Sequence, residues 1–144
     1  MLSEKNTKLI NLILLAFIGL DLIYAIIVFF FPELWFKTIH GTSYSGTQGL
    51  LQRTGAMWAA FTLFQLIAYL NWKEKPYWLA IIAGLRFSEF AADWTYLYFA
   101  QDLSFLGRIS LFISTPTNML VSWIFFKAFV TSEQMARGPK KPPA

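Results

Sequence analysis

Four apolar stretches, each long enough to cross a bilayer, leave this chain few folds to choose from. A span takes about 20 mostly apolar residues. The first stretch runs from about Leu9 to Phe31 and is broken only by Asn11 and Asp21. The second, about Gly49 to Leu70, carries Arg53 near its start and Gln65 later; the third, about Tyr77 to Ala100, contains Arg86, Glu89 and Asp93. The fourth, about Phe105 to Val130, holds Arg108 at its mouth and a middle rich in Ser, Thr and Asn. These runs far exceed a barrel strand, and a helix satisfies its own backbone in lipid. The expected fold is all-α, a four-helix transmembrane bundle over residues 1–131, followed by a disordered, basic, Pro-rich tail over 132–144. The first stretch reads as a retained helix. Its apolar run is too long for a signal peptide, and Phe31-Pro32-Glu33-Leu34-Trp35 is no small-residue cleavage site.

Composition agrees with lipid as the solvent. Of 144 residues, 56% are hydrophobic and only 14% charged, against roughly a quarter charged in a soluble domain. A chain this apolar does not remain disordered. With no cysteine there is no disulfide, thiolate metal site or thiol nucleophile, and a single histidine excludes bis-histidine haem and an all-histidine metal site. No metal and no cofactor is expected. The net charge of +4 sits mostly at the chain ends and one short loop, which points to a membrane surface and away from nucleic acid.

The basic residues also set an orientation. Lys5, Lys8, Lys73, Lys75, Lys127, Arg137, Lys140 and Lys141 share the side that holds both termini and the middle loop, whereas only Lys37 and Arg108 flank the other two loops. The positive-inside rule therefore predicts cytoplasmic termini, in a plasma membrane or bacterial inner membrane. Tyr69, Trp72, Tyr77 and Trp78 mark the inner interface, and Trp35, Trp94, Tyr96 and Tyr98 the outer one. Between the first two spans, Pro32 to Lys37 opens a short interfacial helix, with proline at an early helical position. The Gly41 to Thr47 segment after it is turn-rich and reads as mobile, with His40 a solvated loop residue.

Five ionisable groups at membrane depth carry the functional information, because each costs several kcal/mol unless paired or hydrated. They are Asp21, Arg53, Arg86, Glu89 and Asp93, two positive and three negative. Arg86, Glu89 and Asp93 recur at i, i+3 and i+7 and form one inward stripe. With ~1.5 Å of rise per residue, Asp21 and Glu89 reach a similar level, and Arg53 lies near the height of Asp93. Ser110, Ser114, Asn118 and Ser122 repeat every four residues on the last helix, and Pro116 should kink it and free a backbone carbonyl at that depth. The expected pairs are Arg53–Asp93 and either Arg86–Glu89 or Arg86–Asp21, around a cavity open to the outer side. Gly55-x-x-x-Ala59 and Ala56-x-x-x-Ala60 read as close-packing surfaces, Gln65 as a tie between helices, and Trp58 as an ordinary lipid or core side chain.

Arg53-Thr54-Gly55-Ala56 at the start of the second span, with the acids of the third, resembles the Arg-x-Gly-small pattern of the DoxX-like superfamily of small four-helix membrane proteins. The resemblance covers the first three helices. It implies that Arg53 belongs to a functional centre, and some members of that superfamily are linked to quinone or thiosulfate redox chemistry. The sterol-isomerase-like four-helix fold, which buries carboxylates under a lipophilic pocket, is an analogy of fold alone.

The residues thus point to a pocket for a small, partly apolar ligand such as a quinone or isoprenoid. Asp21, Arg53, Arg86, Ser110, Ser114 and Asn118 are the candidate binding residues, and Glu89 and Asp93 the candidate acid and base. Two alternatives stand beside it. One is a structural subunit of a larger membrane complex or homo-oligomer, its charges there for packing. The other is proton or ion movement with Asp21, Glu89 and Asp93 as relay.

Overall fold

The computed structural model describes residues 3–44, 49–100 and 102–137, the side chain of residue 137 excepted. The described residues form five helices and no strand: α1 (Glu4–Phe30), α2 (Pro32–Ile39), α3 (Leu50–Asn71), α4 (Tyr77–Phe99) and α5 (Phe105–Arg137). The chain is all-α, and two of its helices, α1 and the 105–136 stretch of α5, are long and apolar enough to cross a membrane.

Local chemistry explains the helix ends. α1 begins well before its apolar run because Ser3 caps it, its hydroxyl accepting the Asn6 N–H at 3.3 Å. Glu4 sits in the first turn, where the helix dipole favours a negative charge. α1 stops because Pro32 disfavours the helical conformation in Phe31, which adopts φ −133° and ψ 52°. The same proline opens α2 at a position where its missing N–H costs nothing. Gly49 precedes α3 at φ 107°, a conformation that favours glycine, and donates its N–H to Gln52 Oε1 at 3.1 Å.

Two of the sequence expectations change here. α5 does not end near Val130. It continues through Thr131, Ser132, Glu133, Gln134, Met135 and Ala136 to Arg137, because nothing in that segment breaks a helix before Gly138-Pro139. The tail expected from 132 is therefore helical as far as 137, and 138–144 lie outside the described residues, as do 45–48 of the turn-rich segment. Pro116 sits inside a continuous α5 and is exposed. The carbonyl it leaves without a helical donor belongs to Phe112, also exposed, so the proline supplies no free backbone group to the interior.

α1 packs along α3 and α4 along α5, and α2 bridges α1 and α5. Gly55 allows the first pairing: a Cβ there would lie 3.0 Å from Val28 Cγ1 and 3.2 Å from the Phe29 ring. The alanines expected to share that role, Ala56, Ala59 and Ala60, are exposed. Gly107 serves α2 in the same way, since a Cβ at 107 would collide with the Ile39 carbonyl.

The two helix pairs meet most tightly at the end that holds the α3–α4 turn. Ile10, Leu14, Ala68, Trp72, Leu79, Ile82, Ala83, Val121, Phe125 and Ala128 form one buried cluster there. Trp72, expected at an interface, is in that core and donates its indole N–H to Asn11 Oδ1 at 2.8 Å. At the opposite end, under α2, α4 behaves differently. Its buried residues are Leu79, Ile82, Ala83 and Arg86, and from 87 to 99 it buries none.

Candidate functional site

One string of hydrogen bonds crosses all four long helices at the border between these two ends. Gln65 of α3 donates Nε2 to Asp21 Oδ2 of α1 at 2.7 Å. Arg86 Nη2 of α4 donates to the same Asp21 oxygen in a buried ion pair. Arg86 Nη1 reaches Asn118 Oδ1 of α5 at 3.4 Å. Asn118 Nδ2 then donates to Asp93 Oδ2 at 3.3 Å, and Ser114 Oγ donates to that oxygen at 2.5 Å. The helical spacing read in the sequence accounts for this order: Arg86 and Asp93 are two turns apart on one face of α4, and Ser114 and Asn118 one turn apart on α5.

The lower part of the string is sealed. Asp21, Gln65, Arg86 and Asn118 are all buried, and the Arg86 guanidinium lies over the Phe17 and Phe61 rings, at 4.6 and 5.4 Å from their centroids. The pair resolves the alternatives for Arg86: its carboxylate partner is Asp21. Gln65 Oε1 and Arg86 Nε have no partner there.

The upper part is open. Glu89 and Asp93 are half-buried. Glu89 Oε2 accepts the Trp58 indole N–H at 3.4 Å. All donors to these two acids are neutral, and among the described residues they reach only one oxygen of each, Glu89 Oε2 and Asp93 Oδ2. The remaining oxygens are not among the buried atoms lacking a partner. They therefore keep some exposed surface. Beside them stands an aromatic trio from three helices: Tyr24 of α1, Trp35 of α2 and Trp58 of α3, with ring centroids 5.2 to 5.5 Å apart. Tyr24 lies within electrostatic reach of both Asp21 and Asp93.

The structure thus brings together Asp21, Arg86, Asp93, Ser114 and Asn118, with Glu89 one turn away. It does not bring in Arg53. That side chain is exposed and forms no ion pair among the described residues, so the expected Arg53–Asp93 pair is absent and hydroxyl and amide donors stand in its place. Arg53 fails to reach because Gly55, two positions on, is the residue that faces α1. Ser110 is half-buried, and Ser122 donates to the Ala83 carbonyl at 2.8 Å, joining α5 to α4 without touching the string.

Several participants escaped the sequence reading. Trp58 serves as a hydrogen-bond donor to Glu89, and Tyr24 and Trp35 frame the acids, but aromatic residues at helical spacing carry no signal that separates these from lipid-facing ones. His40 lies in the turn after α2 and is partly exposed, but it is not simply solvated. Its Nδ1 donates to the Asp102 carbonyl at 2.8 Å, its Nε2 meets the Tyr96 hydroxyl at 2.9 Å, and its ring stacks on Phe36. A carbonyl only accepts, so Nδ1 carries a proton, and in the neutral ring Nε2 accepts from Tyr96. His40 thereby clasps the end of α2 to α4 and to the α4–α5 connection. Ser104 adds its N–H to the Ile39 carbonyl at 2.9 Å and its hydroxyl to the Thr38 carbonyl at 2.6 Å.

On the short helix α2, Glu33 accepts the Tyr44 N–H at 2.9 Å. That bond, together with Lys37 at 3.5 Å, holds the Glu33 carboxyl below its ordinary value. Among the described residues no group of three or more potential ligands is placed to hold a metal ion. Compared with known protein families, curated proteins and solved structures, the chain finds no match.

Proposed function

We propose that this is a multi-pass membrane protein whose four long helices all cross the bilayer, with both termini on the cytoplasmic side of a plasma or bacterial inner membrane and α2 at the opposite interface. On this reading the region under α2 around Glu89 and Asp93 binds a small, partly apolar ligand of the quinone or isoprenoid kind. One observation carries it: the free carboxylate oxygens of Glu89 and Asp93 stand where α4 buries nothing, beside the aromatic trio. Acids at membrane depth with unused lone pairs are expensive unless they are hydrated or serve a ligand.

The geometry also narrows the ligand. Arg86 is committed to Asp21 and Arg53 points away, so the polar end meets carboxyl oxygens and not a guanidinium. A hydroxyl-bearing molecule, such as a quinol or an isoprenoid alcohol, supplies the donor these oxygens lack. Glu89 and Asp93 are then the groups that exchange a proton with it. Kinship with the DoxX-like superfamily belongs to the same proposal and rests on Arg53-Thr54-Gly55-Ala56.

The test uses the full chain in lipid nanodiscs with a short-chain quinol and a short isoprenoid alcohol as probes. Saturable thermal stabilisation by either probe, lost in Glu89→Gln and Asp93→Asn while helicity is kept, is the expected result. An unchanged response in both variants removes the reading.

A structural role within a larger membrane assembly is favoured by a different observation, the sealed Gln65–Asp21–Arg86–Asn118 connection. Such a pair sets helix register without any ligand. Replacing both charges together, Asp21→Leu with Arg86→Met, then leaves oligomeric assembly intact. Ion relay gains no support, because Leu14, Leu79, Ile82 and Phe125 fill the path toward the α3–α4 turn.

A further inference from the structure

The α4–α5 face carries a groove of about 420 Å³, lined by Leu97, Phe105, Arg108, Ile109, Phe112 and Ile113. No residue of the hydrogen-bonded string lines it. Five of its six residues are apolar, and the sixth, Arg108, is a cation. Arg108 Nε has a single carbonyl contact, to Leu103 at 3.5 Å. No carboxylate lies within ion-pair distance of its guanidinium among the described residues. Of the other two cations at this end, Lys37 is already paired with Glu33 at 3.5 Å, and Arg53 does not line the groove.

α5 is one of the two helices long and apolar enough to cross a membrane. Arg108 is one turn from its start, and Phe112 and Ile113 lie four and five residues deeper, roughly 6–8 Å along the axis. An apolar groove that enters the hydrocarbon beside an unpaired, exposed guanidinium has the polarity of one molecule class. We propose that this groove holds an acyl chain of a phospholipid whose phosphate is bound by Arg108. Guanidinium matches phosphate through paired, planar donors and sheds its hydration more readily than an ammonium. A neutral lipid fills the groove but leaves the charge unmatched, and free phosphate matches the charge but leaves the groove empty. The site needs only that α5 crosses the bilayer, and it shares no residue with the Glu89–Asp93 site.

The experiment is native mass spectrometry of the full chain released from nanodiscs containing equal amounts of phosphatidylglycerol and diacylglycerol of the same acyl chains. One retained phosphatidylglycerol per chain is expected, with diacylglycerol about tenfold lower, the size of a lost charge-assisted hydrogen bond. Arg108→Gln brings phosphatidylglycerol down to the diacylglycerol level, Arg108→Lys keeps most of it, and Ile109→Trp, which fills the groove and spares the guanidinium, removes it. Added inorganic phosphate does not displace the lipid. Equal retention of both lipids, retention unaffected by Arg108→Gln or by Ile109→Trp, or displacement by inorganic phosphate each overturns the proposal. Circular dichroism of each variant confirms that the helices persist, as expected for substitutions at exposed positions.

Discussion

The two ends of this molecule solve the same problem in opposite ways. At the α3–α4 turn, helices from both pairs interlock through Leu14, Leu79, Ile82 and Phe125, all fully buried, and the polar atoms there are matched, as between Trp72 and Asn11. Under α2, α4 buries no side chain beyond Arg86, the aromatic residues contact one another across three helices, and two carboxyl groups keep an oxygen free. The Asp21–Arg86 pair stands on the boundary. The difference teaches that charge inside a helical bundle is not one kind of feature: the same helix carries Arg86 as part of a sealed tie and, one and two turns on, Glu89 and Asp93 as half-buried groups.

Breaking the tie gives the largest expected effect. Arg86→Leu leaves Asp21 buried without its cation and costs about 3–5 kcal/mol, read as a lower unfolding midpoint in detergent micelles. Adding Asp21→Leu to that variant restores most of the loss. If the single change costs no more than Glu89→Gln, the boundary between sealed and open ends is misplaced.

Packing gives the next contrast. Phe125→Ala at the sealed end costs an amount at the lower end of the roughly 3–5 kcal/mol typical of a buried Phe→Ala, because detergent or lipid is as apolar as the core it vacates. Phe87→Ala, at a position 54% exposed beyond Arg86 on α4, stays within about 0.5 kcal/mol. Equal effects would erase the comparison.

Gly107→Ala tests how α2 is held over the open end. The new Cβ meets the Ile39 carbonyl, so the backbone at the end of α2 must shift, and overpacking of this sort costs about 1–3 kcal/mol. Faster hydrogen exchange at the Ser104 amide, which donates to Ile39, is the local signature.

The smallest effect is the pH response of the segment following α2. The Tyr44 N–H and Lys37 hold the Glu33 carboxyl below its ordinary value. This contribution is present above the unfolded-state value of about 4.3 and is lost as pH falls through the lowered folded-state value. Protection of the Tyr44 amide should therefore persist at pH 6 and vanish in acid, and Glu33→Gln should abolish the pH dependence.

Much of this was legible in residue order. Hydrophobic run length placed the four long helices within a few residues over most of their bounds, and Pro32 and Gly49 marked where chain direction changes. The i, i+3, i+7 spacing of Arg86, Glu89 and Asp93 and the fourfold spacing of Ser114 and Asn118 put the right groups on the right faces. Those rules are local, set by 3.6 residues per turn and by backbone sterics, and need no neighbour to hold. What they left open was contact between elements. Whether Arg86 turns to Asp21 or Glu89, whether Arg53 or Gly55 faces α1, and whether Trp58 meets lipid or a carboxylate all depend on helix rotation and interaxial approach. His40 became a clasp only because α2 folds back over the α4–α5 connection. Sequence determined the helices and their polar faces; the packing of one helix against another decided which charges are sealed and which remain available, because a side chain's partner is chosen by the neighbouring surface and not by its own.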